Sequence, residues 1–222
     1  MKRLASAMFL VLVLMLGLAQ QRAAHAGIIN GSVVLDTSAL SGTFELAFVF
    51  IDGSGTGDGN NTVTLGNFGF GSGGSAGVVD SLLTTGGGTG TLGTGVTLVD
   101  SDFFNILAAT FTAGAHLSFD IGLSTNVDAG GLPDQFSVAL LQADGTQVAT
   151  SDPSGANALL SVNIDSARPA FSVFSSDLTP APIVRLAATV PEPSTVLLLP
   201  IGLALLLWSS RPLTRSPNTA DV

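Results

Sequence analysis

Apolar and polar residues alternate with a period of two over Phe44, Leu46, Phe48 and Phe50, and again over Leu117, Phe119, Ile121 and Leu123. A strand turns successive side chains to opposite faces, so each set predicts the buried face of a half-buried strand. Further strands are predicted over 32–36, 62–68, 96–99, 135–141, 147–150, 159–164, 171–174 and 183–187. Gly, Asn and Asp punctuate these segments at a spacing of about ten residues, and Asp144-Gly145 between two apolar runs reads as a hairpin turn. No clear amphipathic helix intervenes. The pattern predicts an all-β fold, an antiparallel β-sandwich of jelly-roll type.

Two segments break the alternation. Residues 102–111, with Phe103-Phe104-Asn105-Ile106-Leu107-Ala108-Ala109, fit a short helix or an irregular strand. Residues 66–95 are rich in glycine, with Gly71-Ser72-Gly73-Gly74 and Gly86-Gly87-Gly88-Thr89-Gly90, and predict a long flexible excursion from the sandwich. They lack the Gly-Lys-Ser/Thr ending of a phosphate loop.

The two ends of the chain differ from its middle. Lys2 and Arg3 precede an apolar run from Leu4 to Ala19, and Ala24-His25-Ala26 then offers small residues around one variable position. This is the order of a secretory signal peptide, expected over 1–26 with signal peptidase cutting after Ala26. At the other end Val190-Pro191-Glu192-Pro193-Ser194 leads into the apolar run 195–208, followed by Arg211 and Arg215. The prolines exclude helix at the motif. A single transmembrane helix is expected over about 194–210, with Arg211 and Arg215 holding the tail in the cytoplasm by the positive-inside bias. The domain organisation expected is therefore 1–26, an ectodomain over 27–188, a sorting segment over 189–215 and a short tail over 216–222.

Motif, apolar run and basic residues in this order resemble the PEP-CTERM sorting signal, although Arg211 and Arg215 are spaced apart where that signal has a tight cluster. The resemblance covers about the last thirty residues. It implies recognition by an exosortase, transient anchoring in the inner membrane, and delivery to the cell surface or extracellular matrix of a Gram-negative bacterium that makes exopolysaccharide. The middle resembles an ectodomain found on such proteins through Phe50-Ile51-Asp52-Gly53, Asn60-Asn61-Thr62-Val63-Thr64-Leu65, Phe68-Gly69-Phe70-Gly71, Leu117-Ser118-Phe119 and Pro133-Asp134-Gln135-Phe136-Ser137. That second resemblance implies no activity.

Composition narrows the chemistry. The 222 residues contain no cysteine, which excludes disulfides, thiolate metal sites and a cysteine nucleophile. Between Gly27 and Val190 thirteen Asp and one Glu face only Arg168 and Arg185, a formal charge of −12. Such a field repels nucleic acid, whose binding requires Lys and Arg against phosphates. His116 is the one histidine beyond residue 26, no Gly-x-Ser-x-Gly elbow is present, and Glu45 with scattered Asp selects no glycosidase pair. The expectation is a protein without catalytic activity or cofactor.

Calcium is the one ion the sequence suggests. In Asp52-Gly53-Ser54-Gly55-Thr56-Gly57-Asp58-Gly59-Asn60, oxygen-bearing side chains alternate with glycines that let a loop curl around a hard cation. Asp52, Asp58 and Asn60 are the candidate ligands, with Asp100 and Asp102, or Asp128 and Asp134, as distant contributors. Val63 stands where an EF-hand has its bidentate Glu. A lectin-like module binding extracellular polysaccharide is the other candidate, weakened by the absence of Tyr and by Trp208 lying in the apolar tail. Alternation assigns most phenylalanines to the core.

Overall fold

A computed structural model describes residues 27–127, 132–166 and 168–187. The sequence expectations for Ala24 and Ala26, for Val190, Pro191, Glu192, Pro193 and Ser194, for the helix at about 194–210 and for Arg211 and Arg215 fall outside the described residues, as does Asp128.

The described chain is all-β. Twelve strands follow one another as β1 (Ile28–Asp36), β2 (Thr43–Ile51), β3 (Thr62–Gly69), β4 (Ser75–Val79), β5 (Gly87–Thr91), β6 (Gly95–Val99), β7 (Phe104–Thr112), β8 (His116–Ser124), β9 (Asp134–Gln142), β10 (Ala158–Ile164), β11 (Phe171–Val173) and β12 (Ile183–Leu186). They form two six-stranded antiparallel sheets, ordered β12-β1-β8-β3-β6-β5 and β11-β10-β9-β2-β7-β4. This is the two-layer arrangement of a β-sandwich.

One core lies between the layers, and period-two alternation builds it. On β2, Leu46, Phe48 and Phe50 are fully buried, and on β8 Leu117, Phe119, Ile121 and Leu123 face them from the other sheet. Each such side chain stabilises the fold by roughly 1.5–3 kcal/mol through removal from water. β2 is central in its sheet, with Phe50 beside Phe136 of β9 and Phe44 beside Phe111 of β7. A bulge in β3 between Gly66 and Gly69 carries Asn67 through a left-handed φ of 53°. The chain beyond it packs Phe68 against Phe48 and Phe119, with ring centroids 6.0 and 5.5 Å apart, and stacks Phe70 on Phe68 at 6.4 Å. The Phe68-Gly69-Phe70-Gly71 motif thus extends the aromatic core.

Four local expectations are settled or revised. Within residues 102–111 the chain is strand from Phe104 onward: β7 pairs with β2 over nine consecutive positions, from Ile51 opposite Phe104 to Thr43 opposite Thr112. Residues 66–95 are not a free excursion, because they supply β4 to one sheet and β5 to the other. Glycine serves close approach there: a Cβ on Gly77 would stand 2.3 Å from Thr110 Oγ1, and one on Gly88 2.3 Å from the Ile106 carbonyl oxygen. Between these strands the backbone crosses from layer to layer, Asp80 donating to Ala108 at 2.9 Å and Thr85 bridging Ile106. Residues 147–150 bury Val148 but form no strand, making only isolated bridges from Gln147 to Leu141 and from Thr150 to Ser176. The Asp144-Gly145 turn forms as expected, with Gly145 at φ 82° and Thr146 donating to Asp144 Oδ1 at 2.9 Å.

Candidate functional site

Antiparallel pairing brings the end of β2, the start of β3, the end of β6 and the β8–β9 connection to one end of the sandwich. Polar side chains withdrawn from solvent gather there: Asp52, Asn61, Asp100 and Asn105 are fully buried, and Asp134 nearly so. Polar groups in such surroundings need partners, and here they have them.

Asn61 is the hub. Its backbone N–H donates to both carboxylate oxygens of Asp100, at 3.1 and 2.9 Å. Its amide nitrogen donates to Asp134 Oδ2 at 2.7 Å and to the Asn126 carbonyl at 2.8 Å. Its amide oxygen accepts from the Asn126 N–H at 2.9 Å and from Ser124 Oγ at 3.0 Å. Asp134 uses its other oxygen to accept from the Gly53 N–H at 2.8 Å. Asn105, at the head of β7, accepts from the Gly87 N–H at 2.8 Å and donates to the Phe50 carbonyl at 3.2 Å.

The candidate calcium loop is built around Asp52 as a turn. Asp52 Oδ1 accepts from the Ser54 N–H and hydroxyl, both at 2.7 Å, and Oδ2 accepts from the Gly57 N–H. Burial pushes the Asp52 carboxyl up, but the bonds from Ser54, Gly57 and Gly55 outweigh it and hold the group below its ordinary value. Asp58 is exposed and accepts from the Asn60 N–H at 3.1 Å and from the Asn60 amide at 2.9 Å. The three predicted ligands are therefore engaged in two separate local turns. Glycine geometry fixes the loop against its neighbours: Gly57 has φ +65°, and a Cβ there would stand 2.6 Å from the Ser101 carbonyl oxygen.

Of the distant contributors, Asp100 and Asp134 do reach this end and each other, whereas Asp102 turns to accept from its neighbour Phe103 at 2.8 Å. The Asp100 carboxyl is pushed up to about 7, first by burial, against the opposing Asn61 N–H, then by the charge of Asp134, a hydrogen bond with it, and the charge of Asp58. Asp100 therefore holds a proton where an isolated aspartate would be ionised. Among the described residues no group of three or more His, Asp or Glu side chains is placed to hold a metal ion.

The role of Asn61 is not legible in its sequence position, where it heads the alternating run Thr62-Val63-Thr64-Leu65. Its partners lie 39 to 73 residues away, and only the fold assembles them. Phe103 and Phe104, outside the alternating runs, stand apart from the core. They are 54% and 41% exposed, with ring centroids 6.3 Å apart. His116 is exposed at the start of β8, opposite Asp36 of β1.

A second polar feature lies on the outer face of the β12-β1-β8-β3 part of its sheet. A trough of about 610 Å³ is lined by Asn30, Ser32, Thr64, Asp120, Gly122 and Arg185, among others. The register places Ser32 between Asp120 on β8 and Arg185 on β12, and Gly122 between Asn30 on β1 and Thr64 on β3. Val33 and Ile121, whose neighbours line the trough, point the other way into the core.

No family model, curated protein or solved structure matches the chain.

Proposed function

We propose that this chain is an exported surface or matrix protein without catalytic activity, routed by a signal peptide and a PEP-CTERM signal, with a structural or adhesive role in extracellular polymer. The observation that carries this reading is the order of Val190-Pro191-Glu192-Pro193-Ser194, an apolar run, and Arg211 and Arg215, at the far end from a Lys2-Arg3 signal sequence. Signal peptidase and an exosortase are the processing partners, and the apolar run holds the chain in the inner membrane before release.

The fold is compatible with that destination. The order β1, β8, β3, β6 in one sheet and β2, β7, β4 in the other, with β5 at the edge beside β6, supports a jelly-roll reading of the two layers. Support for a role without catalysis comes from how the polar chemistry is engaged: Asp52 organises the backbone of its own loop, and Asn61 ties Asp100, Asn126 and Asp134 together. The acidic domain also suits a solvated extracellular setting.

Fractionation of cells with and without the exosortase tests the route. Processed, surface-associated protein is expected when the enzyme is present, and longer, membrane-held protein when it is absent. A chain of unchanged size that stays in the cytoplasm of both strains overturns the reading.

A further inference from the structure

We propose that the outer trough over β12, β1, β8 and β3 binds a neutral, hydroxyl-rich polysaccharide strand, gripped between Arg185 and Asp120 across Ser32. This gives a chemistry to the adhesive role above, yet it rests on the trough alone and not on the export route.

Position comes first. Ser32 pairs directly with Asp120 on one side and Arg185 on the other, so the three stand in one row on the outer face. With strands about 4.8 Å apart, the two charged residues stand about 10 Å apart at the Cα atoms. The neighbouring row is Asn30, Gly122 and Thr64. At its centre Gly122 has no side chain of its own, and the space a Cβ would take is already held by Thr64 Oγ1 at 2.6 Å and Asn30 Oδ1 at 3.3 Å, the Thr64 hydroxyl donating to the Gly122 carbonyl at 3.4 Å. The open space of the trough therefore lies above these side chains, and a ligand ring rests on the polar groups of the two rows.

Hydrogen-bonding capacity comes second. Arg185 is exposed, and among the described residues its side chain has no hydrogen bond or ion pair; the side chains of Asn30 and Ser32 likewise have none. Asp120 accepts from the Asn67 amide at 2.7 Å through Oδ2, leaving Oδ1 for a ligand. Arginine only donates, a carboxylate only accepts, and Ser32 and Asn30 do both. Sugar hydroxyls also do both, so a polyol can satisfy the whole set at once.

Charge selects among polymers. A polyanion meets both Asp120 in the trough and the −12 charge between Gly27 and Val190, and one arginine does not offset that field. A neutral strand meets no such opposition. Among the described residues no aromatic ring lines the trough, so binding depends on hydrogen bonds and is expected to be weak per site.

Affinity electrophoresis of the purified full-length chain tests this, with soluble neutral β-glucan, neutral mannan or a polyuronate cast in the gel. Mobility is read against a polymer-free gel. Retardation by at least one neutral polymer is expected, with the dissociation constant raised at least fivefold in both Arg185→Ala and Asp120→Ala. Thermal unfolding should leave both exposed-site variants as stable as the parent. Failure of every neutral polymer to retard the chain, tighter binding to the polyuronate, or unchanged binding in the two variants overturns the proposal. Because the assay uses purified protein, it can fail while the fractionation experiment succeeds, and the reverse.

Discussion

The side-chain amide of Asn61 donates to a carboxylate oxygen of Asp134 at 2.7 Å, across 73 residues of sequence. The same residue holds Asp100 through its backbone, so one asparagine ties together the β2–β3, β6–β7 and β8–β9 connections. Loops at the end of a sandwich usually vary independently of one another. Here they share buried partners.

Replacing Asn61 with Ala leaves Asp134, Ser124 and the Asn126 backbone each short of a partner in a buried setting. A loss of about 3 kcal/mol is expected, since bonds to charged groups and orphaned buried groups carry the larger penalties. Urea unfolding measures it. Asn163→Ala, at an exposed site whose side chain bonds only to Gln135 among the described residues, is the control and should change stability by no more than about 0.5 kcal/mol.

The raised Asp100 carboxyl makes stability depend on pH with a definite sign. Folding lifts this group from 3.8 to about 7, so between those values the folded state holds more protons than the unfolded one. The contribution is complete below about pH 4 and is lost as pH rises through about 7. Unfolding free energies measured across that window should fall in the parent and stay nearly level in Asp100→Asn. An equal slope in both proteins would assign the effect elsewhere.

Gly57 and Gly59 separate backbone strain from collision. Both have φ near +65 to +69°, but a Cβ on Gly57 would stand 2.6 Å from the Ser101 carbonyl oxygen, while one on Gly59 meets nothing within 4 Å. Gly59→Ala should therefore cost about 1 kcal/mol, the penalty of a left-handed alanine. Gly57→Ala should cost at least twice as much, because Ser101 must also move. Comparable melting temperatures for the two variants would rule out the contact.

Phenylalanine number alone does not measure the core. Phe48 is fully buried, and its loss in Phe48→Ala is expected to cost about 3–5 kcal/mol. Phe103→Ala removes a ring that is 54% exposed and should cost less than about 1 kcal/mol. Chemical denaturation of the pair checks the contrast.

Much of this was legible beforehand. The alternations at 44–50 and 117–123 became β2 and β8, and Asp144-Gly145 became the expected turn. Burial and the pleat act on neighbours within one strand, so the pattern can be read locally. The glycine-rich stretch failed for a matching reason. Glycine signals freedom in sequence, whereas Gly77 and Gly88 serve close backbone approach to β7, a strand whose residues lie far along the chain.

The sequence by itself determined the all-β class, the acidic field and most strand positions, because these depend on residue type and period. Tertiary structure decided what the polar residues do. Asp52, Asp58 and Asn60 looked alike as oxygen donors in one loop, yet Asp52 turns inward to hold its own turn while Asp58 and Asn60 pair at the surface. Asp100 meets Asp134, and Arg185 stands across Ser32 from Asp120, only because antiparallel register aligns distant strands. Hydrogen bonds and charge interactions act over a few ångströms of space, and separation along the chain does not reveal them.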